Sequence, residues 1–339
     1  HVRSRRQRQM CIRDSCKAKA VPLDHLADML AGSELFTGAA LDGVPQDVSD
    51  DEVAALPDPA SATVLPWRPD TVWFASNLQL GGRPFEACSR NILCRVRDQA
   101  AAMGLRFNLG VETEFFVLRR DADGGLQPAS ADDRLDKPCY DLRGLLDNLG
   151  WLDELVQAMN GLGWGVYSFD HEDGNGQFET DFGYADGLVT ADRVTFFRLM
   201  AREITRRHGL IASFMPKPFA DRTGSGAHFN MSLADLGSGE NLFIPEDGRP
   251  GWVSELGRQF IAGILRHAPA ICAVIAPTVN SYKRLVVQGS MSGFTWAPVF
   301  ICYGNNNRTN MLRIPGAGSR VECLSLIHIS EPTRQAEIS

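Results

Sequence analysis

No stretch of this 339-residue chain approaches the roughly 18 consecutive apolar residues that a membrane-spanning helix needs, so no such span and no membrane partner are expected. Positive charge is also short. Against 41 Asp and Glu stand 34 Lys and Arg, and the formal net charge of −7 argues against a nucleic-acid partner and for a soluble protein. The eight cysteines (Cys11, Cys16, Cys88, Cys94, Cys139, Cys272, Cys302 and Cys323) include no CxxC pair. Their scattered spacing indicates neither a disulfide framework nor a thiolate zinc site; reduced, mostly buried thiols and a cytoplasmic setting are expected. Internal repeats and low-complexity linkers are missing too. What remains is ordinary globular composition, 44% hydrophobic and 22% charged, with length for one large or two smaller domains.

The two ends differ from the rest. "MCIRDS" (10–15) and "LSLIHISEPTR" (324–334) show no capping, periodic or turn logic, and both read as translations of one transposase-type sequencing adapter, from opposite strands. Residues 1–15 and 324–339 are therefore expected to be non-native and are set aside.

Between them, residues 16–83 read as a small α+β unit, with "TVWFASNL" (71–78) as a strand, and 84–323 as a larger one. In the larger unit, Pro84 is expected to open a helix through Met103, followed by a strand over 107–118 and a polar loop over 120–140. A helix is expected over 141–162, then strands near 164–170 and 176–182 around the turn "HEDGNG". "LVTADRVTFFRLMAREITRRHG" predicts a helix capped by Thr190 or Asp192 and stopped by Gly209. "AHFNMSLAD" alternates like a strand, and "GWVSELGRQFIAGILRHAPAICAVIAP" predicts a second long helix with a possible kink at Pro269. Hairpins rather than alternating β-α units make the class α+β.

The chemistry starts in "GVETEFFVL" (110–118). On a strand, Glu112 and Glu114 share a face while Phe115 and Val117 anchor the other. Two buried like charges repel, so one takes up a proton unless a cation neutralises both. "DHEDGNGQFETDF" adds Glu172 and Glu179 on either side of a Gly-rich turn, "GSGAHFNMSL" adds His228, and "RVEC" adds Glu322. Five carboxylates and one imidazole from separate strands suit hard divalent cations, Mg²⁺ or Mn²⁺.

The ordered set E-x-E, "HEDGNGQFE", "GSGAHFNMSL", "NSYKRL", "NNNRTNMLRIP" and "SRVE" resembles the glutamine synthetase family over about residues 35–323. The resemblance implies a small N-terminal β-grasp domain, incomplete here, and a catalytic domain whose curved antiparallel sheet is flanked by helices. It also implies ring-shaped homo-oligomers with active sites between neighbouring subunits. Members of the family phosphorylate the γ-carboxylate of glutamate with ATP and let an amine displace the phosphate. Anion meets anion in such a step, so cations and arginines must cancel charge. By the same resemblance, Glu114, Glu172 and Glu179 hold one cation and Glu112, His228 and Glu322 a second. Arg284 clamps the substrate's carboxylate beside Gly224, and Arg308 and Arg313 face the transferring phosphoryl group. Arg320, Ser232 and Asn230 contact the nucleotide. Asp42 stands where the family's first domain offers an aspartate to the neighbour's ammonium site, although "LDG" also reads as a plain turn.

There are departures. The family's ammonia-using members carry a glutamate six residues after the "SYKR" arginine; Ser290 stands there. That difference, with the wording "DHEDGNGQFE", points to the branch containing type III glutamate–ammonia ligases and γ-glutamylmethylamide synthetases. The amine is expected to be ammonia, with methylamine or another small alkylamine as the alternative. Asn230 replaces a frequent histidine, Tyr167 a frequent glutamate and Thr223 a frequent asparagine. Leu324 occupies the place of a second substrate-clamping arginine, so the chain as written is expected to be poorly active. A guanidino-type phosphotransferase and a catalytically silent homologue are weaker alternatives, because the acidic set is complete.

Overall fold

A computed structural model describes residues 16–41, 44–284, 298 and 300–324. Among these, the chain divides into two compact units between Met103 and Gly104.

The first unit holds an antiparallel sheet of β1 (Glu34–Phe36), β2 (Val53–Pro57), β5 (Ser76–Leu80) and β6 (Arg83–Pro84), in that order. β3 (Thr63–Leu65) and β4 (Arg68–Trp73) form a separate hairpin. Val53, Ala55 and Pro57 alternate inward along β2, the period-two burial of a sheet with one covered face. Two helices complete the unit, α1 (Leu26–Leu30) and α2 (Ser89–Ala102). The strand expected over 71–78 is interrupted, since β4 ends at Trp73 and β5 begins at Ser76. Pro84 does not open α2. It pairs with Gln79 on the sheet edge, where a missing N–H costs nothing, and the helix begins at Ser89. α2 is tied down by Arg90, 3% exposed, which donates to Asp58 and to Asn77 at 2.7 Å each.

The second unit is built on β7 (Leu105–Arg120), sixteen residues long. Around it lie β8 (Leu126–Pro128), β9 (Val166–His171), β10 (Gln177–Phe182), β11 (Ala185–Asp186), β12 (Ile211–Ser213), β13 (Ala227–Asp235), β14 (Phe300–Asn305), β15 (Asn310–Ile314) and β16 (Val321–Cys323). The main path runs β14-β15-β16-β13-β7-β10-β9, with β8, β11 and β12 pairing elsewhere along β7. Every described pairing is antiparallel except β14 with β15. The helices are α3 (Leu142–Leu146), α4 (Leu149–Gly161), α5 (Gly187–Arg207), α6 (Glu255–Ile275) and α7 (Val279–Arg284). None of the described helices is long and apolar enough to cross a membrane.

One face of this sheet is sealed by an aromatic core. Phe115 of β7 packs against Trp151 of α4, Phe197 of α5 and Phe214, and Trp151 packs on Phe178 of β10. The expected helix over 141–162 is two helices. At the break, Asn148 donates to the carbonyl of Gly144 at 2.8 Å and accepts from the Trp151 indole at 2.9 Å, so a side chain takes over backbone bonding. The N-cap of α5 is Asp186, whose carboxylate accepts from the Leu188 N–H at 3.0 Å. Thr190 is buried instead, its hydroxyl donating to the carbonyl of Leu109 in β7. Pro269 lies inside α6, which continues through it.

Candidate active site

Register decides which side chains meet. Glu112 and Glu114 lie two apart on β7 and share the face opposite Phe115. Glu179 of β10 stands directly across from Glu114, and His228 of β13 directly across from Glu112. Asn230, two residues beyond His228, stands across from Glu322 of β16, which in turn stands across from Arg313 of β15. Glu172 follows β9 by one residue, its N–H closing the turn onto the Gln177 carbonyl at 2.9 Å. Glu112, Glu114, Glu179, His228 and Glu322 therefore share one side of one sheet, and Glu172, in the turn after β9, feels the charge of Glu114.

The distances agree. His228 Nδ1 lies 3.3 Å from Glu112 and 3.8 Å from Glu322, and its Nε2 lies 3.6 Å from Glu114. One ligand atom each from Glu112, Glu179 and His228 fall within 4.8 Å of one another. Glu114 accepts from the Gly226 N–H at 2.7 Å and from the Gln177 amide at 2.9 Å. Glu322, fully buried, accepts from the Arg313 guanidinium. Yet Glu179 Oε2, Glu322 Oε1 and Asp181 Oδ1 are buried oxygens that accept no hydrogen bond among the described residues. Such oxygens are costly to bury unless they are protonated or bind a cation, so the donor set fits hard divalent ions.

The electrostatics point the same way. Burial, then the charge of Glu114, pushes Glu172 up to about 8. Burial with Glu114 and Glu172 drives Glu179 well above the usual carboxylate range. Asp181 is pushed up to about 7 by burial, then by Glu112 and Asp170. His228 goes the other way: burial disfavours its charge, but the bond to Glu112 and the neighbouring carboxylates hold it above its ordinary value. Burial disfavours the Glu112 charge as well, and His228 reverses this and keeps that carboxyl low. The face carries more negative charge than its own cations offset.

Arg284, at the end of α7, reaches this face. A Cβ on Gly224 would lie 2.5 Å from Arg284 Cγ and 2.6 Å from the Pro216 carbonyl, and one on Gly226 would lie 2.9 Å from Arg284 Nη1. Only glycine lets the guanidinium lie against this loop. Arg284 also donates to the carbonyl of Leu324 at 3.4 Å, and Leu324 is buried. Arg320 donates to Asn230 Oδ1 at 2.7 Å, and Asn230 donates to Glu112 at 2.8 Å, which links the expected nucleotide contacts to the acids. Ser232 follows two residues along β13 on the same side as Asn230. Thr223 donates to Asp173 at 3.1 Å. Arg308 is not drawn into the cluster; it lies exposed in the turn between β14 and β15. Tyr167 is 70% exposed. Asp42 and Ser290 lie outside the described residues.

Sequence reasoning gave no role to Gln177, to Asp181 or to the buried pair Asp133–His171. Asp181 carried a signal, since E-x-D in "FETDF" repeats the same-face spacing of E-x-E. Asp133 carried none, being far from His171 in sequence.

The family description "Glutamine synthetase, catalytic domain" matches residues 86–326. A glutamate–methylamine ligase of Methyloversatilis universalis is 42% identical over 90% of this chain and 69% of its own length. A glutamine synthetase of Rhizobium meliloti is 41% identical over 89% of this chain and 68% of its own. A solved GmaS/ADP complex superposes with a TM-score of 0.86 at 42% identity, covering 94% of this chain and 72% of that one.

Proposed function

The chain belongs to the glutamine synthetase family, and on that premise we propose that it serves an ATP-dependent ligase that joins the γ-carboxylate of glutamate to ammonia or methylamine. The observation that carries this reading is the convergence of Glu112, Glu114, Glu179, His228 and Glu322 on one sheet face, with buried carboxylate oxygens left for a cation and Arg284 beside them.

Glu114, Glu172 and Glu179 would hold one divalent ion, Mg²⁺ or Mn²⁺, and Glu112, His228 and Glu322 a second. Bound there, the ions would supply the positive charge that lets a carboxylate and a triphosphate approach. The rest falls to the chain's own groups. Arg284, held against Gly224, presents a planar two-pronged donor to the substrate's carboxylate. Arg313 shares its charge with Glu322 at the phosphoryl end, while Arg308 would have to swing in from its exposed turn to join it. Arg320, Asn230 and Ser232 line the nucleotide side. The family's usual assembly would make the protein a ring-shaped homo-oligomer, with the first unit a β-grasp domain whose Asp42 faces a neighbour's amine site. The methylamine reading is favoured by Ser290, a neutral side chain where ammonia-using members carry a glutamate.

The test is phosphate release from ATP in Mn²⁺, with glutamate and with ammonium or methylammonium supplied separately. Release that depends on both glutamate and one amine is expected, and a slow rate suffices, because the readout is the dependence. Release indifferent to glutamate, or phosphoryl transfer to creatine or arginine, overturns the reading.

A further inference from the structure

Two titratable side chains with no part in this chemistry lie behind the β9–β10 turn. His171 and Asp133 have side chains only 0% and 3% exposed. Burying two charges is costly, and the attraction offsets that cost only when the geometry is good and the remaining polar atoms are satisfied. Here they are. His171 Nε2 lies 2.8 Å from Asp133 Oδ2, and Nδ1 lies 2.8 Å from the carbonyl oxygen of Glu172. Both ring nitrogens face acceptors, an arrangement that the imidazolium with two N–H donors satisfies.

The same carboxylate grips the turn. Asp133 Oδ1 accepts from the Asn175 amide at 2.9 Å and Oδ2 from the Gly176 N–H at 2.5 Å. Asn175 donates a second time, to the carbonyl of Leu135 at 3.0 Å, and the Tyr140 N–H donates to the carbonyl of His171 at 2.9 Å. Gly144 of α3 lies so close that a Cβ there would sit 2.7 Å from His171 Cδ2. Residues 133–144 are thus stitched to the turn 172–176. By contrast, the Glu172 carboxylate is held within the protein by the Asp173 N–H alone, at 3.2 Å, among the described contacts. Its direction is set by its backbone.

We propose that the Asp133–His171 pair is a positioning device for Glu172: the His171 ring fixes the Glu172 carbonyl, and Asp133 fixes the turn, so that the Glu172 carboxylate is held toward Glu114 and Glu179. The inference rests on the ligase reading of those three acids as one cation site. His171 and Asp133 touch no substrate; they act through Glu172.

The experiment is a double-mutant cycle on the full chain, read by calorimetric titration with Mn²⁺ alone. Asp133→Asn is expected to weaken Mn²⁺ binding about tenfold, as loss of an outer-shell partner does. In a Glu172→Gln background, Asp133→Asn should change Mn²⁺ affinity less than about twofold, because the group it positions is already gone. An Asp133→Asn chain that binds Mn²⁺ like the parent overturns the proposal. So does an equal loss in both backgrounds, which a merely structural role gives. If Asp133→Asn does not fold, Asn175→Ala in the same turn replaces it in the same cycle, with the same pattern required. A Glu172→Gln chain that binds Mn²⁺ unchanged overturns the ligand assignment itself, and the positioning role with it.

Discussion

At the scale of single residues, the acids of the sheet face set a measurable debt. Glu172 near 8 and Asp181 near 7, with Glu179 also raised, keep protons in the fold that they lose in the unfolded chain. Below the ordinary carboxylate value of about 4 both states are protonated and these groups contribute nothing. Between there and about pH 8 the unfolded chain ionises first, so their contribution to stability falls as pH rises. Urea midpoints of the EDTA-treated protein should decline from pH 6 to pH 8, and Glu179→Gln should flatten that decline. A second prediction concerns Gly224. In Gly224→Ala the new methyl group must displace Arg284, because one of its neighbours is the immovable Pro216 carbonyl. The KM for glutamate should rise at least about tenfold with little change in Mn²⁺ affinity, the mark of lost substrate clamping. Arg284 lies against Gly224, and Arg320 is linked through Asn230 to Glu112, while Arg308 lies exposed in its turn.

At the scale of elements, the sheet face is only as exact as the helices behind it. Phe115, buried on the reverse of the strand that carries Glu112 and Glu114, touches Trp151, Phe197 and Phe214. Phe115→Ala should cost about 3–5 kcal/mol in urea unfolding. α5 depends on its cap: Asp186→Ala should cost about 1 kcal/mol in urea unfolding. The long strand and the two long helices were legible because their apolar periods are unbroken over many residues, and the turn between β9 and β10 because of its Asp, Gly and Asn residues. Local bonds were not. Asn148 ends one helix and starts another through its own side chain, and Pro84 serves a sheet edge; neither choice leaves a periodic trace.

At the scale of the whole molecule, the site is assembled from β7, β10, β13, β15 and β16, the turn after β9, and the end of α7, all within the second unit. Divalent cations should therefore stabilise that unit rather than a single hairpin. Saturating Mn²⁺, at about a hundred times its Kd, should add about 2.7 kcal/mol to stability, and EDTA should remove it. A thermal scan with the far-ultraviolet signal of the strands as readout checks this. No shift with Mn²⁺ would mean that the acids stay protonated and hold no ion.

The sequence by itself determined the family, the class of ligand and the alternation that puts Glu112 with Glu114, because residue types and period-two spacing are local properties of a chain. Only the tertiary structure decided that Glu179 faces Glu114, that His228 faces Glu112 and that Asp133 locks His171. Strand register and long-range burial are settled by packing the whole sheet against its helices, and one residue of slip would turn every one of these acids to the other face.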